Sequence, residues 1–181
     1  MALRWTAGES DLGGILVAVS PRGLAAVRLA DDGTDLEAGF GAWAARAHPG
    51  LAVVRDDGDP AGALHAVRAA IAGGPAAGLP LDLAGTPFQQ RVWSALREIP
   101  RGEVRTYGEV ARAVGAPRAV RAVGSACGAN PVAVVVPCHR VVPAAGGVGA
   151  YAYGPDRKRL LLGREGASVG DEDRAATGRQ R

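Results

Sequence analysis

Residues 132 to 142 read V-A-V-V-V-P-C-H-R-V-V, and no other stretch of this chain limits its fold so strongly. The apolar residues between Pro131 and Pro137 are too few for a stable helix and rich in β-branched valine, so the pattern predicts a buried strand that Pro137 ends. Cys138 and His139 follow at once. On an extended strand they would point to opposite faces, but a turn after Pro137 would let a bridging water carry a proton between them and make a thiolate. The same residues also read as a packed thiol and a surface histidine beside Arg140. This stretch alone leaves both readings open.

A chain of 181 residues is long enough for one compact unit of two small lobes. No apolar run approaches the roughly 20 residues of a membrane span, and no basic segment followed by an apolar one opens the chain; the expectation is a cytoplasmic protein without a membrane partner. Cys127 and Cys138 are the only cysteines, and the histidines (His48, His65, His139) are scattered. A disulfide framework and a Cys-rich zinc centre are therefore not expected, nor is any other metal or cofactor. Charge divides unevenly. Residues 1 to 85 hold 6 arginines against 10 acidic residues, whereas residues 86 to 165 hold 12 Lys/Arg against 5. A basic second half is a solvated face or a footprint for a phosphate backbone.

Arg4 to Ala7, Ile15 to Val19 and Leu24 to Leu29 read as three strands of an antiparallel meander, joined through Asp11-Leu12-Gly13-Gly14 and Pro21-Arg22-Gly23. Asp35 to Ala47 and Pro60 to Ala72 read as helices, and Ala76 to Pro80 as a linker. His48 and His65 lack a partner at a convincing spacing and read as structural or exposed. The cluster Asp56-Asp57-Gly58-Asp59 lacks the alternating ligands of a calcium loop and reads as a solvated turn.

Thr86-Pro87-Phe88-Gln89 starts a core helix that runs to Ile99, just before Pro100. A second capping box, Thr106-Tyr107-Gly108-Glu109, opens a short helix through Val114. Gly115-Ala116 turns the chain, and Pro117 is expected to start another helix ending near Gly128. Two short helices across a tight turn suggest a helix-turn-helix, with a plain helical hairpin as the alternative. Val120, Val123 and Cys127 should face the core as packing residues. Arg118, Arg121 and Ser125 share another face, and the small Ala122, Gly124, Ser125 and Ala129 permit close approach to a groove. A last helix, Asp156 to Glu165, ends on a carboxylate where the helix dipole disfavours one.

Pro137-Cys138-His139-Arg140-Val141-Val142, preceded by Arg121-Ala122-Val123-Gly124 and Asn130-Pro131 and followed by Gly149-Ala150-Tyr151, resembles the methylated-DNA–protein-cysteine methyltransferases, also called O6-alkylguanine-DNA alkyltransferases. The likeness runs from about Trp5 to Gly166. It implies an α+β fold: a ribonuclease-H-like sheet-and-helix support lobe over residues 1–80, then a mainly helical lobe over 81–166 with a winged-helix-like helix-turn-helix. Residues 167–181, charged and without periodicity, read as a disordered tail.

The resemblance also implies a chemistry. Cys138 would accept an alkyl group from O6 of guanine, and also O4 of thymine, in duplex DNA, once per molecule. His139 would deprotonate it through a water, Glu165 would hold His139, and Asn130 would brace the active-site turn. Tyr107, the carbonyls of Cys138 and Val141, Tyr151 and the amide of Ala152 would form the guanine pocket. Arg121 would fill the space left by the flipped base, with Tyr107 turning its phosphate and Ala122 on the groove-facing side. The expected partner is double-stranded DNA carrying O6-alkylguanine, and the chain is expected to act as a monomer. Tyr153, where many relatives have glycine, suggests a pocket narrowed toward methyl over benzyl. The four-cysteine regulatory domain of Ada proteins is absent from this sequence, so transcriptional control is not carried over. Two rivals stand beside this reading: a damage sensor that accepts no alkyl group, against which Cys138 argues, and a cysteine hydrolase, which would need an oxyanion hole and would turn over.

Overall fold

The computed structural model describes residues 1–31, 36–75 and 78–169, which fall into two compact units. The first comprises Met1–Gln90 with Ala129–Val136; the second comprises Arg91–Gly128 and the chain from Pro137. No helix among the described residues is long and apolar enough to cross a membrane.

In the first unit β1 (Ala2–Ser10), β2 (Gly13–Ser20) and β3 (Gly23–Ala30) form the expected antiparallel meander, each strand longer than its apolar run. A helix, α1 (Phe40–Ala47), is followed by β4 (Ala52–Arg55), which pairs parallel to β1 and completes the order β3-β2-β1-β4. The sequence reading missed β4 because all four of its side chains are exposed, leaving no alternation to see. Leu3, Trp5, Leu16, Ala18, Ala25, Ala26, Phe40 and Ala44 make a core in which the Trp5 and Phe40 rings meet edge-on. The predicted start of α1 at Asp35 lies outside the described residues, and the helix itself begins only at Phe40. The helix expected over 60 to 72 is α2 (Ala63–Ile71), with a 3₁₀ turn at Pro60–Gly62. The Asp59 carboxylate accepts from the amides of Leu64 and His65, satisfying donors that a helix start leaves open.

Of the linker expected over 76 to 80, Ala76 and Ala77 lie outside the described residues. Beyond them the chain is fastened along β3. Leu24 donates to the Pro80 carbonyl at 2.7 Å and Asp82 donates back to Leu24 at 2.9 Å. The approach needs glycine at position 23, where φ is +142° and a Cβ would sit 2.1 Å from the Pro80 oxygen. Asp82 also accepts from Ser20 and Arg22 and lies 3.4 Å from Nδ1 of buried His48. His48 thus has a structural neighbour, and His65 is exposed.

The predicted strand at 132 to 136 is not one. Val132 bridges to Val27 of β3, but the chain then turns back on itself: Val136 donates to Val132 at 3.0 Å and Val134 takes φ +71°. Asn130 explains the turn, since its Nδ2 donates to the Val136 carbonyl at 2.8 Å and its Oδ1 accepts from the Val132 amide at 3.0 Å. A side-chain amide takes the backbone groups a ladder would have used.

In the second unit α3 (Pro87–Arg97), which begins in the first, carries the expected capping pair between Thr86 and Gln89. Trp93 on α3 donates from its buried indole to the Ala126 carbonyl at 2.8 Å. A two-residue strand, β5 (Arg105–Thr106), pairs parallel with β6 (Val141–Val142) and leads into α4 (Tyr107–Ala113), where the predicted Thr106–Glu109 capping box is complete. The next helix, α5 (Val120–Gly128), starts three residues later than expected, because Pro117 lies in a turn closed by the Ala119 amide on the Ala116 carbonyl at 2.8 Å. Val120, expected in the core, is consequently 41% exposed at the helix start, while Val123 and Cys127 are buried. The last helix, α6 (Pro155–Glu165), ends at Gly166, whose φ of +74° supplies the left-handed cap. Of the predicted tail, residues 170–181 lie outside the described residues.

Candidate functional site

Pro137 is followed by a single 3₁₀ turn, Cys138–Arg140, closed by the Arg140 amide on the Pro137 carbonyl at 3.0 Å. The turn frees the thiol and the imidazole from the opposed directions a strand would impose. His139 is fully buried, and its Nε2 lies 2.9 Å from Oε1 of Glu165, the last residue of α6. Arg140 grips the same carboxylate with two hydrogen bonds of 2.9 Å and donates a third, of 2.6 Å, to the Ile99 carbonyl. Burial alone would raise the Glu165 pKa, but the hydrogen bonds from His139 and Arg140 outweigh it and bring the value down to about 2.

Burial also pushes the His139 pKa below its ordinary value, against the raising effect of Glu165, so the imidazole is neutral near pH 7. An ionised carboxylate can only accept, which assigns the imidazole proton to Nε2 and leaves the Nδ1 lone pair available. Nδ1 is buried and has no hydrogen-bond partner among the described residues. A neutral base with a held tautomer therefore adjoins the cysteine in the chain.

Cys138 lines a cavity of about 240 Å³ together with Tyr107, Gly124, Cys127, Gly128, Ala150, Tyr151 and Ala152. The volume falls just below the ~300–1,000 Å³ usual for small-molecule pockets, and the lining is mostly small and apolar. Tyr107, the first residue of α4, is held protonated well past neutrality by burial and by the two neighbouring sulfurs. The Tyr151 hydroxyl is buried, which raises its pKa strongly.

Among the residues singled out from sequence, the structure brings Cys138, His139 and Glu165 into one turn and its partner helix. It also places Tyr107, Tyr151 and Ala152 on the wall of the cavity that Cys138 lines. The Val141 carbonyl accepts from Lys158 at 2.6 Å, and its residue is not among those lining the cavity. Arg121 and Ala122 are exposed on α5. Asn130 belongs to the first unit, where it ties the 130–136 loop. Tyr153 is also absent from the lining and packs edge-on against Tyr151, so any narrowing it causes acts through that ring.

Three contributors escaped the sequence reading. From sequence Arg140 reads only as part of a motif, yet it is the main clamp on Glu165. Cys127 reads as packing and is indeed buried, but it also forms part of the cavity wall. Lys158 reads from sequence only as one basic residue of the last helix. It is fully buried, donates to the carbonyls of Val141 and Ala150, and has its pKa lowered to about 8 by burial, with both cysteines opposing the shift. Its position offered a signal, because 158, 161, 162 and 165 share one helix face and a lysine there must be buried with Leu161 and Leu162.

A family model described as the DNA-binding domain of 6-O-methylguanine DNA methyltransferase matches residues 87–167. The chain is 42% identical over 169 residues to the bifunctional transcriptional activator/DNA repair enzyme Ada of Escherichia coli, a match covering 91% of this chain and 46% of that protein. It is 61% identical over 82 residues to the methylated-DNA–protein-cysteine methyltransferase of Mycobacterium tuberculosis, covering 45% of this chain and 50% of that one. These matches thus span about half the length of the curated relatives. The mixed α+β structure matches the crystal structure of M. tuberculosis OGT in complex with DNA with a TM-score of 0.74 at 40% identity, over 90% of this chain and 92% of that one. Likeness of this extent in sequence and in three dimensions, around a Pro-Cys-His-Arg turn, places the chain in the 6-O-methylguanine DNA methyltransferase family.

Proposed function

We propose that this protein repairs alkylated DNA by moving a methyl or other small alkyl group from O6 of guanine, and from O4 of thymine, to Cys138. The observation that carries the reading is the fully buried His139 held by Glu165, itself clamped by Arg140, next in the chain to a cysteine that lines a cavity of about 240 Å³. His139 Nδ1 takes the thiol proton through a water. The sulfur attacks the alkyl carbon, the carbon–O6 bond breaks, and its electron pair returns to the guanine, which is protonated by Tyr107 or solvent. The products are unmodified guanine and a thioether on Cys138. Giving up the alkyl carbon again would require the Cys138 thiolate to leave from an unactivated carbon, which it does poorly, so each chain acts once.

The remaining roles belong to the same proposal. Duplex DNA is the partner, read by α4 and α5 as a winged-helix-like helix-turn-helix, with Arg121 entering the stack where the base has left and Ala122 facing the groove. Flipping costs a few kcal/mol of unstacking, and the inserted side chain offsets part of it. Val141 and Ala152 offer backbone contacts to the base, Tyr151 packs on it, and Asn130 fixes the loop just before Pro137. The first 80 residues act as a ribonuclease-H-like support lobe, residues 81–166 carry the reaction, and the chain works as a cytoplasmic monomer.

The test is to incubate the protein with duplex DNA holding one radiolabelled O6-methylguanine, beside Cys138→Ser. Label should move to the Cys138 peptide at one methyl per chain and only in the unmutated protein. Sustained multiple turnover, or tight lesion binding without transfer, would overturn the proposal.

A further inference from the structure

Cys127 and Cys138 are eleven positions apart, on α5 and on the turn after Pro137, yet both line one cavity of about 240 Å³. Both are thiols, buried but not sealed, with 8% and 6% of their surfaces exposed. Gly124 and Gly128 flank Cys127 along the same wall and carry no side chain that could cover its sulfur. Tyr107 and Lys158 are each electrostatically coupled to both cysteines, which places the two within reach of the same groups.

The geometry points to a second chemistry for this cavity: Cys127 and Cys138 form a reversible disulfide when the empty site meets a small hydroperoxide, so that Cys127 protects Cys138 from irreversible oxidation. The steps balance. The Cys138 thiolate attacks one oxygen of hydrogen peroxide, the O–O bond breaks, and hydroxide leaves as water after taking up a proton. The Cys127 sulfur then attacks the sulfur of the Cys138 sulfenic acid, the S–O bond breaks, and the hydroxyl leaves as water with the Cys127 proton. Two thiols are oxidised by two electrons, and one peroxide is reduced to two waters. Without a neighbouring thiol a sulfenic acid can be carried on by more peroxide to sulfinic acid, which ordinary thiols do not reverse. Burial, followed by the neighbouring Cys138, pushes the Cys127 thiol up to about 12. It therefore stays protonated at neutral pH and does not compete for an alkyl group, and it acts by proximity once Cys138 is oxidised.

Trypsin provides a clean readout, because cleavage after Arg121 and Arg140 leaves both cysteines in one peptide, Ala122–Arg140. The full chain would be treated with a several-fold excess of hydrogen peroxide, enough to carry an unprotected sulfenic acid on to sulfinic acid, then blocked with iodoacetamide and digested. The expected peptide is two hydrogens lighter, resists alkylation and reverts with dithiothreitol, while methyl transfer from labelled DNA is lost and returns in step. In Cys127→Ser, measured against its own untreated activity, the loss should persist after dithiothreitol and the peptide should gain two oxygens. Prior methylation by lesion DNA should prevent the link. Sulfinic acid on Cys138 with Cys127 still alkylatable in the unmutated chain, or a disulfide found only between two chains, would overturn the inference. The mass readout needs no repair activity. An internal link in a protein that transfers no methyl group would support the disulfide and sink the alkyl-transfer reading instead.

Discussion

Glu165 sits at the end of α6, where the helix dipole disfavours a carboxylate, and the structure shows what offsets that cost. Arg140 supplies a two-point ion pair and His139 a hydrogen bond, so one carboxylate is shared by the proposed base and by a permanent cation. Arg140 therefore fixes Glu165, and Glu165 fixes the tautomer of His139. Glu165→Gln keeps the shape but can present either an oxygen or an amino group to the ring. General-base help is worth roughly 10²–10⁴ in rate, and losing its orientation should forfeit about 10- to 100-fold of single-turnover methyl transfer. Lesion binding, measured by titration with an unreactive analogue, should change far less. An unchanged transfer rate would mean that the pair holds the turn and does not prepare the base.

At the scale of elements, the helix starts carry more of the site than their lengths suggest. Tyr107 is the first residue of α4, and its placement depends on the capping box in which Thr106 accepts from the Glu109 amide and donates its own amide to Glu109. Thr106→Ala should cost about 1 kcal/mol of stability, and Thr106→Ser should recover most of it. A fall in Tm accompanied by slower transfer would tie the cap to the cavity wall, and a fall in Tm alone would confine it to stability. The 130–136 loop makes the complementary point. Val134 lies at φ +71°, a costly place for a β-branched residue, and the Asn130 amide is what holds the backbone there. Local preference for a strand loses to one side chain that satisfies two backbone groups.

For the whole molecule, His139 and Glu165 in the second unit are buried groups whose folded pKa values lie below their ordinary ones, and on the acid side both act in the same direction. His139 is kept neutral by burial, so its contribution to stability is present above about 6.5 and is lost as pH falls through its lowered folded value. Glu165 is lowered to about 2, so its contribution is present above its ordinary 4.5 and is lost as pH falls from there toward about 2. Thermal unfolding followed against pH should therefore show stability declining in two stages on the acid side. Glu165→Gln should flatten the lower stage. A profile between pH 4.5 and 2 that is identical with and without Glu165 would remove that assignment. Net charge adds a separate feature: the acidic residues concentrate in positions 1 to 85 and the basic ones in 86 to 165, the half that matches the DNA-binding family model.

Much of this protein is written in local sequence, because capping boxes, turn glycines and the meander's apolar runs act over a few residues and survive in any context. Thr86–Gln89, Thr106–Glu109 and the three first strands could be read directly for that reason. The Pro-Cys-His-Arg turn was legible as a motif and, through resemblance, as a chemistry. What local pattern could not decide were features that depend on partners distant in sequence. The exposed strand β4 exists because β1 offers it an edge, and Val132 to Val136 fails as a strand because Asn130 takes its hydrogen bonds. Cys127 could be placed on the buried face of α5, but not beside Cys138 on one cavity. Lys158 could be placed among leucines, but its use there, two backbone carbonyls and a charge near both sulfurs, appears only after β6 and α6 pack together. Periodicity tells which side of an element is buried; what it is buried against is settled by packing across long separations, and the chemistry of the cavity depends on that packing.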